Sequence, residues 1–264
     1  MRVSSLFASL FASLFVPCAT LATPAFGADL SAEQVRAALT KASPQAPADF
    51  SGKDLSDLDF SGFDFRNAKL RGVNLFASKL VNSNFAGADL QSANLNGAWL
   101  MGADFTRANL TGASLLSVVV LGGQVKKMPV FAGATMARVK MIADLPGADL
   151  AGADFRDARI GVNIRNQGMG QMRTDLSNAN LSGANFSGAD VNRSLMTFAN
   201  LKGSNLRGAS FFRVKLGGSD LSGADVTGTD FTEADLSGVI LRNVKGLEQA
   251  KGLDKAENVD KAIR

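Results

Sequence analysis

The sequence predicts an all-β fold in which the chain coils repeatedly around a filled axis. Three observations predict it. A Leu or Phe recurs at every fifth residue, as at Leu90 and Leu95, and Ala stands two places before each, at Ala88 and Ala93. A period of five fits neither the 3.6-residue period of an α-helix nor the two-residue period of a strand. The pattern also returns through most of the chain, which is typical of repeat architectures.

The five-residue repeat is regular over 50–115, resumes over 145–160, and continues in a shifted phase over 176–241. A chain that turns a corner every five residues needs a large side chain on the axis and a small one beside it, so that the two interdigitate. Gly, Ser, Asn and Asp around each apolar centre suit the turns at those corners. The composition of the repeat therefore agrees with its spacing.

Runs such as "ADLSGADVTGTDFTEADLSG" resemble the pentapeptide repeat family, whose consensus is A(D/N)LXX. The resemblance implies a right-handed quadrilateral β-helix, in which each pentad forms one side and four pentads form one coil. We expect residues 47–244 to form this solenoid, with short capping helices at both ends. The resemblance does not imply an activity, because one fold can host many functions.

Side chains that lie one coil apart are expected to stack. With four pentads per coil, Phe65, Phe85 and Phe105 fall in one column, which we assign to the core. Asn74 and Asn94 fall in another column on the outside, where hydrogen-bonded ladders of Asn side chains are expected.

The first segment, residues 1–27, is predicted to be a secretory signal peptide. Arg2 precedes an apolar run over 6–16, and small residues follow up to Gly27. The run is too short to span a bilayer. The single cysteine, Cys18, lies within this segment; a lipidated Cys18 is the alternative, and the proline before it fits a lipidation signal poorly. We expect a periplasmic or secreted bacterial protein that is cleaved near Gly27.

Segments outside the repeat flank the solenoid. Residues 28–46 are predicted to form an N-terminal capping helix, because Ser31 and Gln34 make a capping-box pattern. Residues 245–264 place apolar side chains at helical intervals among charges, which predicts a short C-terminal capping helix or tail. Such caps would cover the unpaired backbone at the ends of a β-helix. A helix on a membrane surface is the alternative for 245–264, which its own acidic residues disfavour.

The repeat is irregular at 116–144 and 161–175, and both stretches carry basic and Met side chains. They lie about two coils apart, so we expect them to project from one side of the solenoid. We interpret them as a protein-contact patch. Trp99, just before Leu100, is predicted to be exposed, either as an interface anchor or as a lone surface aromatic that covers its neighbours. The alternative is a pair of bulges or degenerate coils whose Met side chains fill the axis. The candidate contact residues are Trp99, Lys126, Lys127, Met128, Arg138, Arg165, Met169, Met172 and Arg173.

The composition argues against an enzyme. The chain has no His and no Tyr, and its one Cys lies in the predicted signal peptide, which removes most side chains used as bases, nucleophiles and transition-metal ligands. A filled axis also leaves no cleft in which catalytic groups could converge. We therefore predict no catalytic residue, no cofactor and no metal.

The net charge of +4, with both signs interspersed, does not indicate a nucleic-acid-binding protein. The sequence predicts a non-catalytic exported solenoid that acts as a rigid protein-binding or scaffolding surface, with another protein as its partner. The family resemblance implies a second hypothesis, a DNA mimic that protects gyrase from quinolones, but such mimicry depends on a strongly acidic surface and a cytoplasmic address. A membrane-surface-associated envelope protein is the third hypothesis. Both a monomer and a homodimer are open possibilities.

Overall fold

The computed structural model describes residues 27–120, 127–161 and 173–264. Within these ranges the chain is a stack of coils joined by parallel β-bridges, most often between residues twenty positions apart, such as Asp54 with Asn74. The bridges fall into four columns, so each coil has four faces. The first face contains Asp49, Lys69, Asp89, Asn109, Thr135, Asp154, Asn185, Asn205, Asp225 and Lys245, and the second contains Asp54, Asn74, Asn94, Ser114, Lys140, Arg159, Asp190, Ser210, Asp230 and Lys251.

The third and fourth faces follow in the same way. Asp144 belongs to the third face because the chain reaches it after the second face and before the fourth. The third face contains Asp59, Lys79, Trp99, Val119, Asp144, Asp175, Leu195, Lys215, Asp235 and Glu257, and the fourth contains Asp64, Asn84, Asp104, Val130, Asp149, Asn180, Asn200, Asp220, Ile240 and Ile263.

Each pentad is a short extended segment followed by a tight turn. In the first pentad the Lys53 amide donates to the Phe50 carbonyl at 3.1 Å, which closes a turn over Ser51 and Gly52. Gly52 has a φ of 68°, and the equivalent residue of most later pentads also has a positive φ, as in a type II turn. This position favours Gly, because a side chain is strained there.

Polar residues at the bridge positions hold these turns in place. The carboxylate of Asp49 accepts the Ser51 amide at 3.0 Å, and the side chain of Asn74 accepts the Phe76 amide at 3.2 Å. This bond explains why Asp and Asn so often stand one place before an apolar centre. Asn94 also donates to Asn74 Oδ1 at 2.9 Å, which confirms the predicted Asn ladder.

The apolar centres fill the axis of the solenoid. The rings of Phe65 and Phe85 stack at 4.7 Å between centroids, and those of Phe85 and Phe105 at 5.0 Å. The predicted Phe column is therefore confirmed. Met136 and Met141, which follow the first break, are fully buried, so these Met side chains fill the axis rather than form a surface.

Helix α1 spans Ala32–Lys41 and packs against the first coil. It begins with the expected capping box: Ser31 Oγ accepts the Gln34 amide at 3.3 Å, and Gln34 Oε1 accepts the Ser31 amide at 2.7 Å. Val35 is fully buried in the same apolar cluster as the repeat centres, and Leu39 packs against that cluster. The helix thus covers the core at this end.

The other end corrects the expectation of a capping helix. Residues 245–264, all of which the structure describes, contain no α-helix, and the 3₁₀ helices Leu247–Gln249 and Val259–Lys261 lie at corners of a further coil. The segment repeats every six residues, as "KGLEQA", "KGLDKA" and "ENVDKA", so each corner holds one extra residue. The bridges shift accordingly to Asp230 with Lys251, Asp235 with Glu257 and Ile240 with Ile263.

The two breaks are insertions at corners, and the faces continue across them. Asn109 bridges Thr135 across the first break, so six residues more than one regular coil separate them. Asp149 bridges Asn180 across the second break, with eleven additional residues. Because the same columns resume after each break, the insertions do not rotate the surface of the solenoid.

Strands β1, Ser114–Leu116, and β2, Lys140–Ile142, pair in parallel on the second face; β1 precedes the first break and β2 follows it. The corner after β2 is one residue short, because only four positions separate Lys140 from Asp144. This corner also lacks the residue with positive φ that the regular turns contain. The chain therefore takes a tighter path from the second face to the third here than in the regular coils.

The predicted signal peptide lies outside the described residues except for Gly27. Among the residues that the structure describes, α1 is the longest helix, with ten residues. In this part of the chain no helix has the length and apolar character needed to cross a membrane.

Candidate binding face

The four faces differ in the side chains that they present outward. On the first and second faces every bridge residue is polar or charged, and the fourth face carries Val130 and, at its C-terminal end, the bridged pair Ile240 and Ile263. The third face instead presents Trp99, Val119 and Leu195, and Trp99 is 40% exposed. At the corner beside Leu195, Phe198 is 68% exposed. Val119 and Leu195 are half-buried, whereas Trp99 and Phe198 are exposed aromatic side chains on one side of the solenoid. Exposed aromatic side chains are typical of interaction surfaces, so the third face is the candidate site.

Both breaks border the third face. The described chain stops at Val120, at the corner towards the fourth face, and resumes at Lys127. It stops again at Gly161, at the corner towards the second face, and resumes at Arg173. The two breaks therefore lie at the two edges of one face, which agrees with the expectation that they share one side of the solenoid.

A depression of about 400 Å³ lies on the third face between the breaks. It lies beside the corner after β2 that is one residue short. It combines apolar and charged side chains, as the contact surfaces of protein interfaces do. The lining residues are Val118, Ile142, Ala143, Asp144, Arg173, Asp175 and Leu195.

Asp144 is a carboxylate that lacks the usual turn partner. Asp59 and Asp175, on the same face, each accept the amide two residues later, but after Asp144 that position is Pro146, which has no amide hydrogen. Burial and the negative charge of Asp175 raise the pKa of Asp144. In contrast, hydrogen bonds from the Ser61 side chain and amide lower the pKa of Asp59. A positive group in the depression would therefore stabilise the charged form of Asp144.

Trp99 occupies the exposed position that the sequence predicts. Its bridge neighbours are Lys79 in the preceding coil and Val119 in the next, and Lys79 Nζ lies 5.9 Å from the centre of the indole ring. The indole therefore has one apolar neighbour on the face, Val119, while Asp144 and Asp175 separate this pair from Leu195.

The candidate contact residues that the structure describes do not form one patch. Lys127 and Met128 lie at the corner between the third and fourth faces, and Arg173 lies at the corner between the second and third. Arg138 lies at the corner between the first and second faces, diagonally opposite Lys127. Met128 is half-buried and packs against the core. Of the described candidates, Trp99, Lys127, Met128 and Arg173 therefore border the third face, and Arg138 does not.

The inclusion of Arg138 in the patch was wrong for a geometric reason. Two pentads separate it from Lys127, and two pentads carry the chain half-way around the coil. Residues that are close in sequence thus lie on opposite sides of the solenoid. The remaining candidates, Lys126, Arg165, Met169 and Met172, lie outside the described residues.

Three residues of the third face were missed in the sequence. Leu195 replaces a polar residue at a bridge position, and Asp144 is followed two places later by Pro146, so both departures from the repeat were visible. Phe198 occupies a turn position with a φ of 58°, where a bulky side chain is unusual. A Cβ on Gly218 in the next coil would lie 2.5 Å from the Phe198 ring, so the ring rests on that glycine.

In the described ranges, no group of three or more His, Cys, Asp or Glu side chains is placed to hold a metal ion. Successive aspartates such as Asp220, Asp225 and Asp230 bridge on different faces, so their carboxylates diverge. What the third face offers is a rigid surface with fixed apolar and charged groups.

Several solved structures resemble this chain. HetL from the cyanobacterium Nostoc sp. strain PCC 7120, a pentapeptide repeat protein involved in heterocyst differentiation regulation, is 26% identical over 89% of this chain and 100% of its own, with a TM-score of 0.39. QnrB1, a plasmid-mediated fluoroquinolone resistance protein, is 22% identical over 77% of this chain and 91% of its own, with a TM-score of 0.45. A pentapeptide repeat protein of the Arabidopsis thaliana thylakoid lumen is 35% identical over 42% of this chain and 66% of its own, with a TM-score of 0.27.

No curated protein matches the sequence. The family model of pentapeptide repeats matches with eight copies, over residues 48–84, 68–107, 88–118, 174–211 and 209–245. Proteins of this kind fold as right-handed quadrilateral β-helices, the architecture that the resemblance implied. The model covers more than half of the sequence, and the chain belongs to the pentapeptide repeat family.

Proposed function

We propose that this protein is a non-catalytic, exported solenoid whose third face binds another protein. The observation that carries the proposal is the contrast between faces: the first and second are entirely polar at their bridge positions, whereas the third presents Trp99, Val119 and Leu195. The depression and both breaks lie on or beside the same face. Aromatic side chains at the centre of an apolar patch are typical anchors of protein interfaces.

The solenoid suits such a role because its surface is preformed. Every coil is fixed to its neighbours by bridges on its faces, so binding would not require the third face to order first. A preorganised surface avoids part of the entropy cost of association.

The binding face can be tested with photo-crosslinking residues placed at Trp99 and Leu195. The matched controls are Asp89 and Asn185, which lie on the first face of the same two coils. We expect crosslinks to a partner from cell-envelope fractions at the two third-face positions and none at the controls. Equal crosslinking from both faces would contradict the proposal.

The captured partner then allows a direct measurement. Trp99 is the only tryptophan of the chain, so its emission reports on the third face alone. Adding the purified partner should shift this emission, and Trp99→Ala should weaken binding by about tenfold or more, as for an aromatic anchor. An unchanged affinity would remove Trp99 from the interface.

Export is supported by the basic residue, the short apolar run and the small residues of 1–27. Sequencing the N-terminus of the protein isolated from its native cells tests it. A mature chain that begins close to Ala28 is expected. An intact Met1 would contradict export and favour a cytoplasmic role such as DNA mimicry.

A further inference from the structure

A column of arginines runs along one edge of the third face. Successive coils are about 4.8 Å apart, so guanidinium groups stacked in this way repel one another. The column occupies the corner between the second and third faces, because each arginine stands two places before a third-face bridge residue. The three are Arg173, Arg193 and Arg213, which precede Asp175, Leu195 and Lys215.

Basic side chains elsewhere on the same coils are paired with carboxylates. Lys202 Nζ lies 3.1 Å from a carboxylate oxygen of Asp220, and Arg207 Nη1 lies 3.1 Å from one of Asp225. In each pair the acid stands one coil below the base, so the ladder itself supplies the neutralising partner.

The arginine column is neutralised only at its lower end. Arg213 Nε lies 2.5 Å from Glu233, and Lys215 Nζ lies 3.0 Å from Glu257. Arg173 and Arg193 have no carboxylate within 4.0 Å among the described residues. Two adjacent guanidinium groups are thus left with their charge uncompensated.

Arg193 is also held in a fixed position. Its guanidinium carbon lies 5.6 Å from the centre of the Phe212 ring, and that of Arg213 lies 4.9 Å from the same ring. A guanidinium that rests on an aromatic ring keeps its N–H groups available and presents a planar fork that matches an oxyanion. The column opens into a depression of about 150 Å³ lined by Arg173, Arg193, Arg213, Lys215, Glu233 and Glu257.

We propose that Arg173 and Arg193 bind the carboxylates of an acidic segment of the partner protein. The proposal rests on the proposed function and names the chemistry of its partner. A densely charged phosphate polymer fits less well, because it has no apolar groups to contact Leu195 on the third face beside the column. A polypeptide can place single carboxylates on the arginines and apolar side chains on the third face beside them.

The test is a titration of the full mature chain with fluorescently labelled poly-L-glutamate at low ionic strength, read by anisotropy. The double variant Arg173→Gln, Arg193→Gln removes the two uncompensated charges. The matched control, Lys202→Gln, Arg207→Gln, removes two charges that are already paired. We expect the first variant to weaken binding about tenfold or more and the control less than about twofold. Thermal melts check that both variants fold.

Equal losses in the two variants, or no loss in either, would overturn the proposal. Tighter binding of polyphosphate or of anionic lipid vesicles than of poly-L-glutamate would overturn the choice of an acidic polypeptide. If Arg193→Gln unfolds, Arg193→Lys keeps the charge without the fork and is expected to bind more weakly than the native chain. The titration needs no native partner, so its failure is distinguishable from failure of the crosslinking that tests the binding face.

Discussion

The first and third faces are built on the same backbone and share the same core, yet they differ outside. The first face carries Asp, Asn, Lys and Thr in its column, and its polar side chains hold the turns. At Trp99, Val119 and Leu195 of the third face, an apolar side chain replaces the polar one that would accept a turn amide. The third face also follows the short corner at Asp144. The apolar side chains on the axis therefore specify the fold, and the outward residues of a single face can vary to form a binding surface.

The largest expected effect concerns the shared core. Leu100 lies behind the third face and Leu110 behind the first, and both are fully buried. Each change to Ala should lower the free energy of unfolding by about 2–5 kcal/mol, because it leaves a cavity in the axis. Urea denaturation measures both. A loss below about 1 kcal/mol at either position would mean that the axis is not closely packed behind that face.

A swap between the faces comes next. Leu195→Asn should gain the side-chain bond to the Thr197 amide that regular turns have, and raise the free energy of unfolding by about 1 kcal/mol while weakening partner binding. Asn185→Leu, in the same coil on the first face, loses its 3.1 Å bond to the Ser187 amide and should cost about as much. If Leu195→Asn lowers the free energy of unfolding instead, the missing turn hydrogen bond at Leu195 does not cost the third face stability.

Pro146 is the difference between the surroundings of Asp144 and those of Asp59 on the third face that a substitution can reverse. Pro146→Ala restores an amide donor two residues after Asp144 and should lower the pKa of that carboxyl, since a hydrogen bond favours the charged form. Ser61→Pro makes the reverse change at Asp59 and should raise its pKa. Titration of the carboxyl carbons by NMR measures both. If Pro146→Ala leaves the pKa of Asp144 unchanged, the missing amide donor is not a cause of its raised pKa.

The smallest effect is the dependence of stability on pH. The pKa of Asp144 is raised in the folded chain, so its charged form destabilises the fold above the folded pKa, and this cost disappears below the unfolded value. Asp144→Asn should therefore raise stability at pH 7 and change nothing near pH 3, although solvent screening keeps the gain within about 0.5 kcal/mol.

Asp59 supplies the opposite sign on the same face. Its pKa is lowered, so its charged form stabilises the fold at neutral pH, and that contribution is lost as the pH falls through the folded pKa. Asp59→Asn should lower stability slightly at pH 7. Urea denaturation at both pH values compares the two variants. The same sign for both would contradict the assigned shifts.

The fold was predictable from the sequence because each pentad repeats the same local reasons for its shape. Leu or Phe on the axis, a small residue beside it and Asp or Asn at the turn agree over many coils, as in the Phe65 to Phe105 column. The C-terminal coil was missed because its six-residue period places Leu247, Ala250 and Leu253 three residues apart, a spacing that also occurs in a helix. The period of six was present in the sequence and would have distinguished the two.

The site was predictable only in part. Trp99 and Arg173, which the sequence analysis placed in one contact patch, both border the third face. Arg138 does not, because closeness in sequence does not determine the corner at which a residue lies. To assign a residue to a corner, the pentads must be counted through the six-residue and eleven-residue insertions and the short corner after β2. The sequence of these stretches does not show where one pentad ends and the next begins. The arginine column needs no such count, because Arg173, Arg193 and Arg213 follow one another at the regular spacing of twenty residues after the second insertion, so the column was visible in the sequence.

The way the insertions leave and rejoin the coil has a consequence for how this chain can diverge. Adding one extra pentad between the breaks would turn everything after it by a quarter of a circle, so that Trp99 and Leu195 would no longer lie on the same face. Lengthening an excursion at a corner leaves the alignment intact, whatever its length. The insertions at the two edges of the third face can therefore change in length during evolution, whereas the number of pentads between them must stay the same for the third-face residues to remain aligned.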